Sequence, residues 1–266
     1  MEFRPCIDIH NGKVKQIVGS SLKDQGNLAN ENFVSAKDAD YYAGLYREEG
    51  IVGGHVILLN GRDSDYYEAT KAQAFKALAA YPGGLQVGGG INADNACEFL
   101  DAGASHVIVT SYVFQDGQIR YDRLEELKKR VGRERLVLDV SCKKAEDAYY
   151  IVTDRWQKMT KEKVDKKLLE KLSEYCAEFL VHAVDVEGKN AGINAELVGI
   201  LGDFSMQPVT YAGGVHDYED IALLGRLGKG RINVTVGSAL DLFGGKLSWR
   251  EVHRLCKEYR DEDCAN

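Results

Sequence analysis

YPGGLQVGGGINADN at residues 81–95 and QPVTYAGGVHDYED at residues 207–220 present the same parts in the same order: a proline, a short apolar run, a glycine cluster and a polar helix start. One unit after each comes a small-polar strand end, VIVTS at 107–111 and VTVGS at 234–238. A chain that repeats such a pair of units in its two halves carries an internal duplication. Asp8 in PCIDIH likewise has a counterpart in Asp139 in LVLDVS, about half the chain further on.

Working outward from these stretches, β-branched or aliphatic runs predict strands at 5–9, 55–59, 85–88, 106–110, 135–140, 179–184, 209–212 and 232–236. Segments of helical period between them predict helices at 36–49, 67–80, 93–102, 121–131, 161–176, 195–201, 218–226 and 249–260. In the third of these, Ala93, Ala96, Cys97 and Leu100 recur at three- and four-residue steps while Asp94, Asn95 and Glu98 face out. Strictly alternating strands and helices build a parallel sheet. Eight such units in 266 residues predict an α/β chain folded as a single (β/α)8 TIM barrel, one domain over 1–266, with half-barrel pseudo-symmetry. An open doubly wound sheet is the alternative, but no G-x-G-x-x-G follows the first strand.

Composition narrows the function classes. The formal charge of −7, from 41 acidic and 34 basic residues, argues against a nucleic-acid surface. Residues 1–11 show no basic-then-apolar signal, and the longest apolar stretch, 50–59, is far short of the roughly 20 residues a spanning helix needs. Six cysteines without a C-x-x-C pair suit a reducing compartment, and the expected location is the cytoplasm.

In such a barrel the loops after the strands form the active face. Gly89 and Gly90 sit there, and Gly213 and Gly214 repeat them. Glycines allow close approach of main-chain N–H groups to an anion, so each cluster is read as half of a phosphate cradle. Thr110 with Ser111, and Gly237 with Ser238, complete the two cradles. A lone glycine cluster would more simply be a tight turn; two of them, each with a small-polar partner, favour a ligand with a phosphate at each end. Asp8 and Asp139 interrupt apolar strands where a carboxylate serves no packing purpose, and a general acid/base pair is the better reading than two satisfied strand-end aspartates.

PCIDIHNGKVKQIVG, QVGGGINADNACEFLDAGASHVIVTS, LVLDV, HAVDVEGKNAGIN, VTYAGGV and NVTVGSAL together resemble, along nearly the whole chain, the ProFAR isomerase family of histidine biosynthesis, in its eukaryotic-type branch. That resemblance implies a (β/α)8 barrel, no metal and no organic cofactor, and an Amadori rearrangement of a bisphosphorylated aminoaldose to its aminoketose. It further implies Asp139 as general acid for ring opening and Asp8 as base at C2, although nothing in the sequence forbids exchanging the roles. Three positions depart from the common bacterial pattern: Gln16 replaces an arginine, Asn60 stands where a carboxylate is usual, and His182 replaces a threonine. Gln16, Asn60, Asp185 and Trp156 are expected to touch substrate. His182 is expected to serve Asp139 or a substrate hydroxyl, or else to be a histidine satisfied by backbone.

YYIVTDRW at 149–156 reads as part of a small hairpin over the active face, with Trp156 stacking on the flat aglycone or merely capping the rim. The polar stretch 19–35 reads as a lid or as a plain surface loop. The expected partner is the small bisphosphorylated substrate, with no nucleic acid, no membrane and no second subunit. Other readings are the cyclase that follows in the same pathway, an isomerase also accepting phosphoribosylanthranilate, and a non-catalytic phosphosugar-binding barrel. The first shows neither of its expected signals clearly, a lysine in the second half of the first-loop motif and a barrel base that receives ammonia from a glutaminase, and the last has no use for two carboxylates.

Overall fold

Alternation along the first strand sets up two layers. In β1 (Cys6–His10) Ile7 and Ile9 are fully buried, while Cys6 and Asp8 on the opposite face look into a central cavity. The computed structural model describes residues 1–17, 21, 28–186 and 192–263, the last four of these as backbone only. The strands that follow in the parallel series are β2 (Gly54–Leu58), β3 (Leu85–Gly88), β4 (Val107–Val109), β5 (Leu136–Ala145), β6 (Glu178–Ala183), β7 (Val209–Ala212) and β8 (Ile232–Val234). Each pairs in parallel with the next in sequence order. Closure comes just ahead of β1, where Phe3 bridges Val234, Arg4 N–H donates to Val234 O (2.8 Å) and Val234 N–H donates to Glu2 O (3.0 Å). The predicted eight-unit barrel is therefore the observed fold.

The helices are α1 (Ala39–Glu48), α2 (Tyr67–Ala80), α3 (Ala96–Asp101), α4 (Tyr121–Val131), α5 (Lys166–Leu172), α6 (Ala195–Gly202), α7 (Tyr218–Leu227) and α8 (Trp249–Asp263). Their apolar stripes, such as Leu124 and Leu127 of α4, meet the outward strand residues in one continuous core that also holds Ile7, Val56, Val87, Leu138 and Val181. A second, smaller cluster fills the barrel: Ile108, Val137, Leu180 and Ala212, with Ile57 against it. Beneath it Glu178 accepts from Gln86 Nε2 (2.9 Å) and Thr210 Oγ1 (2.7 Å), with the Arg4 guanidinium 3.8 Å away. Paired in this way, the buried carboxylate is tolerated. Plug and floor lie below the central cavity, whose lining comes from the strands' C-terminal ends.

Of the boundaries that differ from expectation, four have a clear local reason. β5 runs to Ala145 rather than 140, and Ala148–Thr153 and Lys158–Lys163 fold back on it as an antiparallel hairpin. That hairpin takes the front of the helix expected at 161–176, which starts instead at Lys166, with Asp165 accepting from Leu168 N–H at 2.9 Å as its cap. α3 starts at Ala96 rather than 93 because the Asn92 and Asn95 side chains take the preceding N–H groups into local turns. Finally, Glu31–Val34 in the expected first loop is a strand pairing antiparallel with Lys13–Ile17; residues 18–20 and 22–27 of that loop lie outside the described residues.

Candidate active site

At the open end lies a cavity of about 530 Å³. Asp8 and Asp139 both line it, projecting from β1 and β5, the first and fifth strands of eight and hence from opposite walls. Each carboxylate is oriented by neighbours. Asp139 Oδ1 is 2.8 Å from His182 Nδ1, and Asp139 Oδ2 accepts from Thr110 Oγ1 at 3.0 Å. Asp8 Oδ2 accepts from Gln16 Nε2 at 3.0 Å. Adjacent strands bring these groups together: His182 pairs in register with Ser141, two residues beyond Asp139 on the same face of β5. The Thr110 hydroxyl, expected on a phosphate, therefore gives its hydrogen to Asp139 instead.

The glycine turns repeat in conformation as they do in sequence. Gly89 and Gly90 have φ of +100° and +69°, and Gly213 and Gly214 of +121° and +78°. Gly89 is demanded by space as well, since a Cβ there would lie 2.0 Å from Leu58 O, whereas nothing stands within 4 Å of one built on Gly90. Asn95 Nδ2 donates to Gly90 O at 3.2 Å and steadies that turn. Among the described residues the backbone N–H groups of Gly90, Ser111, Gly214 and Ser238 donate to no protein group, and all four residues line the cavity. Because β3 pairs β4 and β7 pairs β8, each glycine turn has its small-polar partner on the next strand. Arg155 is the one guanidinium or ammonium in the lining among the described residues, so anion binding here falls mainly to main-chain dipoles.

Two expected contacts come out differently. Asn60 borders the cavity, but its amide is spent: Oδ1 accepts from Asn11 N–H (2.7 Å) and Thr70 Oγ1 (2.7 Å), and Nδ2 donates to Asn11 Oδ1 (2.8 Å) and Ser64 Oγ (3.2 Å). It holds the loop after β2 and has no hydrogen left for a substrate. Asp185 stands outside the lining, its carboxylate accepting from Lys144 N–H at 2.7 Å at the root of the hairpin. Glu187, the other carboxylate of that stretch, lies outside the described residues. Trp156 does reach the cavity, at the hairpin tip, where Asp154, Arg155 and Trp156 all take positive φ of 53°, 56° and 66°. The tip is tied to the loop after β4, with Thr153 Oγ1 accepting from Gly117 N–H (2.9 Å) and Asp154 Oδ2 from Asp116 N–H (3.0 Å).

His55, Cys6 and Arg155 line the cavity without having been singled out in the sequence. Period-two alternation in GHVIL puts His55 on the same inward face as Ile57, and its register partner on β1 is Cys6. Burial, and then the proximity of His182, lower its pKa to about 3, so the ring is neutral. The Cys6 thiol is pushed well up by burial and by Asp8.

Comparisons with known proteins agree with this geometry. Residues 2–248 match the family model described as histidine biosynthesis protein. A Medicago truncatula protein named as the chloroplastic 1-(5-phosphoribosyl)-5-((5-phosphoribosylamino)methylideneamino) imidazole-4-carboxamide isomerase is 56% identical over 95% of this chain and 80% of its own. Isomerases of the same name from Yarrowia lipolytica and Saccharomyces cerevisiae are 45% and 41% identical, each over 92% of this chain and 93% and 94% of their own lengths. These names lend no support to the cyclase, the second substrate or a non-catalytic barrel. With a closed eight-stranded barrel, a carboxylate pair across its mouth and a match spanning nearly its whole length, the chain belongs to the histidine biosynthesis protein family.

Proposed function

We propose that Asp8 and Asp139 carry out, in this cavity, the Amadori isomerisation by which the named relatives convert a phosphoribosylamino imidazole carboxamide to its phosphoribulosyl form. The chain is an isomerase of histidine biosynthesis. Its substrate bears a phosphate on each sugar, and the two glycine turns hold one apiece through free N–H groups. Asp139 delivers a proton to the ribose ring oxygen; the C1–O bond breaks and the nitrogen lone pair forms the C1=N Schiff base. Asp8 then removes the proton from C2, giving the enolamine, which becomes the ketose as the C2 hydroxyl loses its proton and C1 gains one. No atoms are gained or lost. His182 and Thr110 aim Asp139, and Gln16 aims Asp8. Trp156 stacks on the flat aglycone.

The observation that carries this reading is the placing of two carboxylates on opposite barrel walls between two repeated turns of positive φ. Asp8→Asn and Asp139→Asn should each lower kcat by about 100- to 10,000-fold and fail to rescue a histidine auxotroph lacking the isomerase, with urea midpoints near wild type. A variant retaining the wild-type rate refutes the assignment.

The remaining features are read along with the site. The chain is read as one domain and as a monomer; sedimentation at working concentration tests this. No helix among the described residues is long and apolar enough to cross a membrane. The compartment is read as the cytoplasm, with a plastid as the second reading because the Medicago relative is named chloroplastic. A fluorescent fusion decides between them.

A further inference from the structure

We propose that Cys6, Asp8 and His55 form a site for a thiophilic divalent cation of the zinc class, and that its occupation disarms the isomerase by taking Asp8. The sulfur, a carboxylate oxygen and a ring nitrogen of these three lie within 4.8 Å of one another. They converge because Cys6 and Asp8 alternate onto the inner face of β1 and because Cys6 and His55 are register partners on neighbouring strands. One thiolate, one carboxylate and one neutral imidazole make a net charge of −2 with mixed S, O and N donors, the set that zinc prefers. A tetrahedral ion with bonds of about 2.0–2.3 Å needs its donors roughly 3.3–3.8 Å apart. The cluster therefore has only about 1 Å to close, within reach of side-chain rotation. The fourth position faces the cavity.

Two further observations point to a ligand. His55 is only 5% exposed and lines the cavity, yet its imidazole makes no hydrogen bond among the described residues. An imidazole that faces a cavity with no protein hydrogen bond is open to a metal ion. In addition, the Gln16 amide already directs Nε2 at both Cys6 Sγ (3.5 Å) and Asp8 Oδ2 (3.0 Å), a positive dipole where a cation would sit. Binding replaces that donor: Gln16 swings aside, the S–H bond breaks, its proton leaves to solvent, and sulfur bonds to the metal. Coordinated in this way, Asp8 shares its negative charge with the metal and is too weak a base to take the C2 proton. The metal is an inhibitor here, outside the catalytic cycle.

The test is a titration of metal-stripped full-length protein with CoCl2 and then ZnCl2, following both absorbance and isomerase rate. One cobalt per chain with a thiolate-to-cobalt charge-transfer band is expected, displaced by zinc. The rate should fall along the same curve and return with EDTA. Cys6→Ala should abolish the band and weaken metal binding by at least about 100-fold, since even changes outside the ligand set cost 10- to 100-fold. His55→Gln should weaken it too, and serves if Cys6→Ala does not fold. Each variant's inhibition is read against its own metal-free rate. The only other such cluster among the described residues is His216, Asp217 and Asp220, so His216→Ala is the control. Absence of a thiolate band, unchanged affinity in both ligand variants, or relief of inhibition by His216→Ala instead overturns the proposal. The spectrum is independent of turnover, so a site that binds metal without loss of rate would count against the role of Asp8, while binding without a thiolate band counts against the site.

Discussion

Removing the His182 imidazole tests whether this residue works through Asp139 or on the substrate. The Asp139 carboxyl is hydrogen-bonded at each oxygen, with His182 Nδ1 at 2.8 Å and with Thr110 Oγ1 at 3.0 Å. A hydrogen bond between neutral groups, as with the acid form of Asp139, contributes about 0.5–1.5 kcal/mol. If that energy aims the carboxyl at the ring oxygen, its loss in His182→Ala lowers kcat by about 2- to 10-fold at 1.4 kcal/mol per decade. KM should hardly move, because the phosphates are gripped elsewhere. Stability should change by less than about 1 kcal/mol, since the His182 side chain is 26% exposed and Asp139 keeps Thr110. The assay is steady-state kinetics of His182→Ala, Thr110→Val and the double variant, alone and in an Asp139→Asn background. Because both residues act on one carboxylate, their effects should fail to add and should vanish once Asp139 is Asn. A raised KM with unchanged kcat, or a full effect persisting in Asp139→Asn, refutes the reasoning and puts His182 on the substrate.

Acid stability should report on His55. Its folded pKa of about 3 lies below its ordinary 6.5, so the unfolded chain takes up the proton first as pH falls. The stability this ring contributes is present above pH 6.5 and is lost on the way down to about pH 3, at about 1.4 kcal/mol per pH unit. His55→Gln should flatten urea-derived stability across that window by one proton; an unaltered slope contradicts the burial argument. Gly90→Ala should fold at a cost of about 1 kcal/mol for its left-handed φ and raise KM, whereas Gly89→Ala should be strongly destabilised by the Leu58 carbonyl 2.0 Å from the new Cβ. Equal stability of the two, or a wild-type KM for Gly90→Ala, removes the phosphate role from that turn. Trp156→Ala should raise KM with the urea midpoint unchanged; a wild-type KM leaves the hairpin tip as a rim cap.

Much of the barrel is legible in the linear order of residues because its grammar is local. Period-two runs, glycine turns and period-3.6 segments report on neighbours a few positions away, and their repetition in two halves betrays the closed sheet. Asp8 and Asp139 stand out for the same reason, as charges inside apolar runs. The hairpin after β5 is half legible: YYIV reads as strand, but KMTKEK, with its helix-favouring lysines and glutamates, becomes a strand because partners fold back on it. Propensity lost there to hydrogen bonding across the hairpin.

What tertiary structure alone decides is which polar side chains are already spent. Asn60 and Asp185 have the composition of ligand-binding residues, yet the Asn60 amide is taken by Asn11, Thr70 and Ser64, and Asp185 stands outside the cavity lining with Oδ2 on Lys144 N–H. Thr110 looks like a phosphate donor until the fifth strand brings Asp139 within 3.0 Å of it. His55 looks like an ordinary strand residue until the first strand sets Cys6 and Asp8 beside it. Architecture and the two candidate carboxylates can be read along the chain, since strand, turn and helix preferences act over short range. The division between gripping, aiming and merely structural residues came only with the closed barrel, because a hydrogen-bond donor can be given away once and its recipient is chosen by residues distant in the chain.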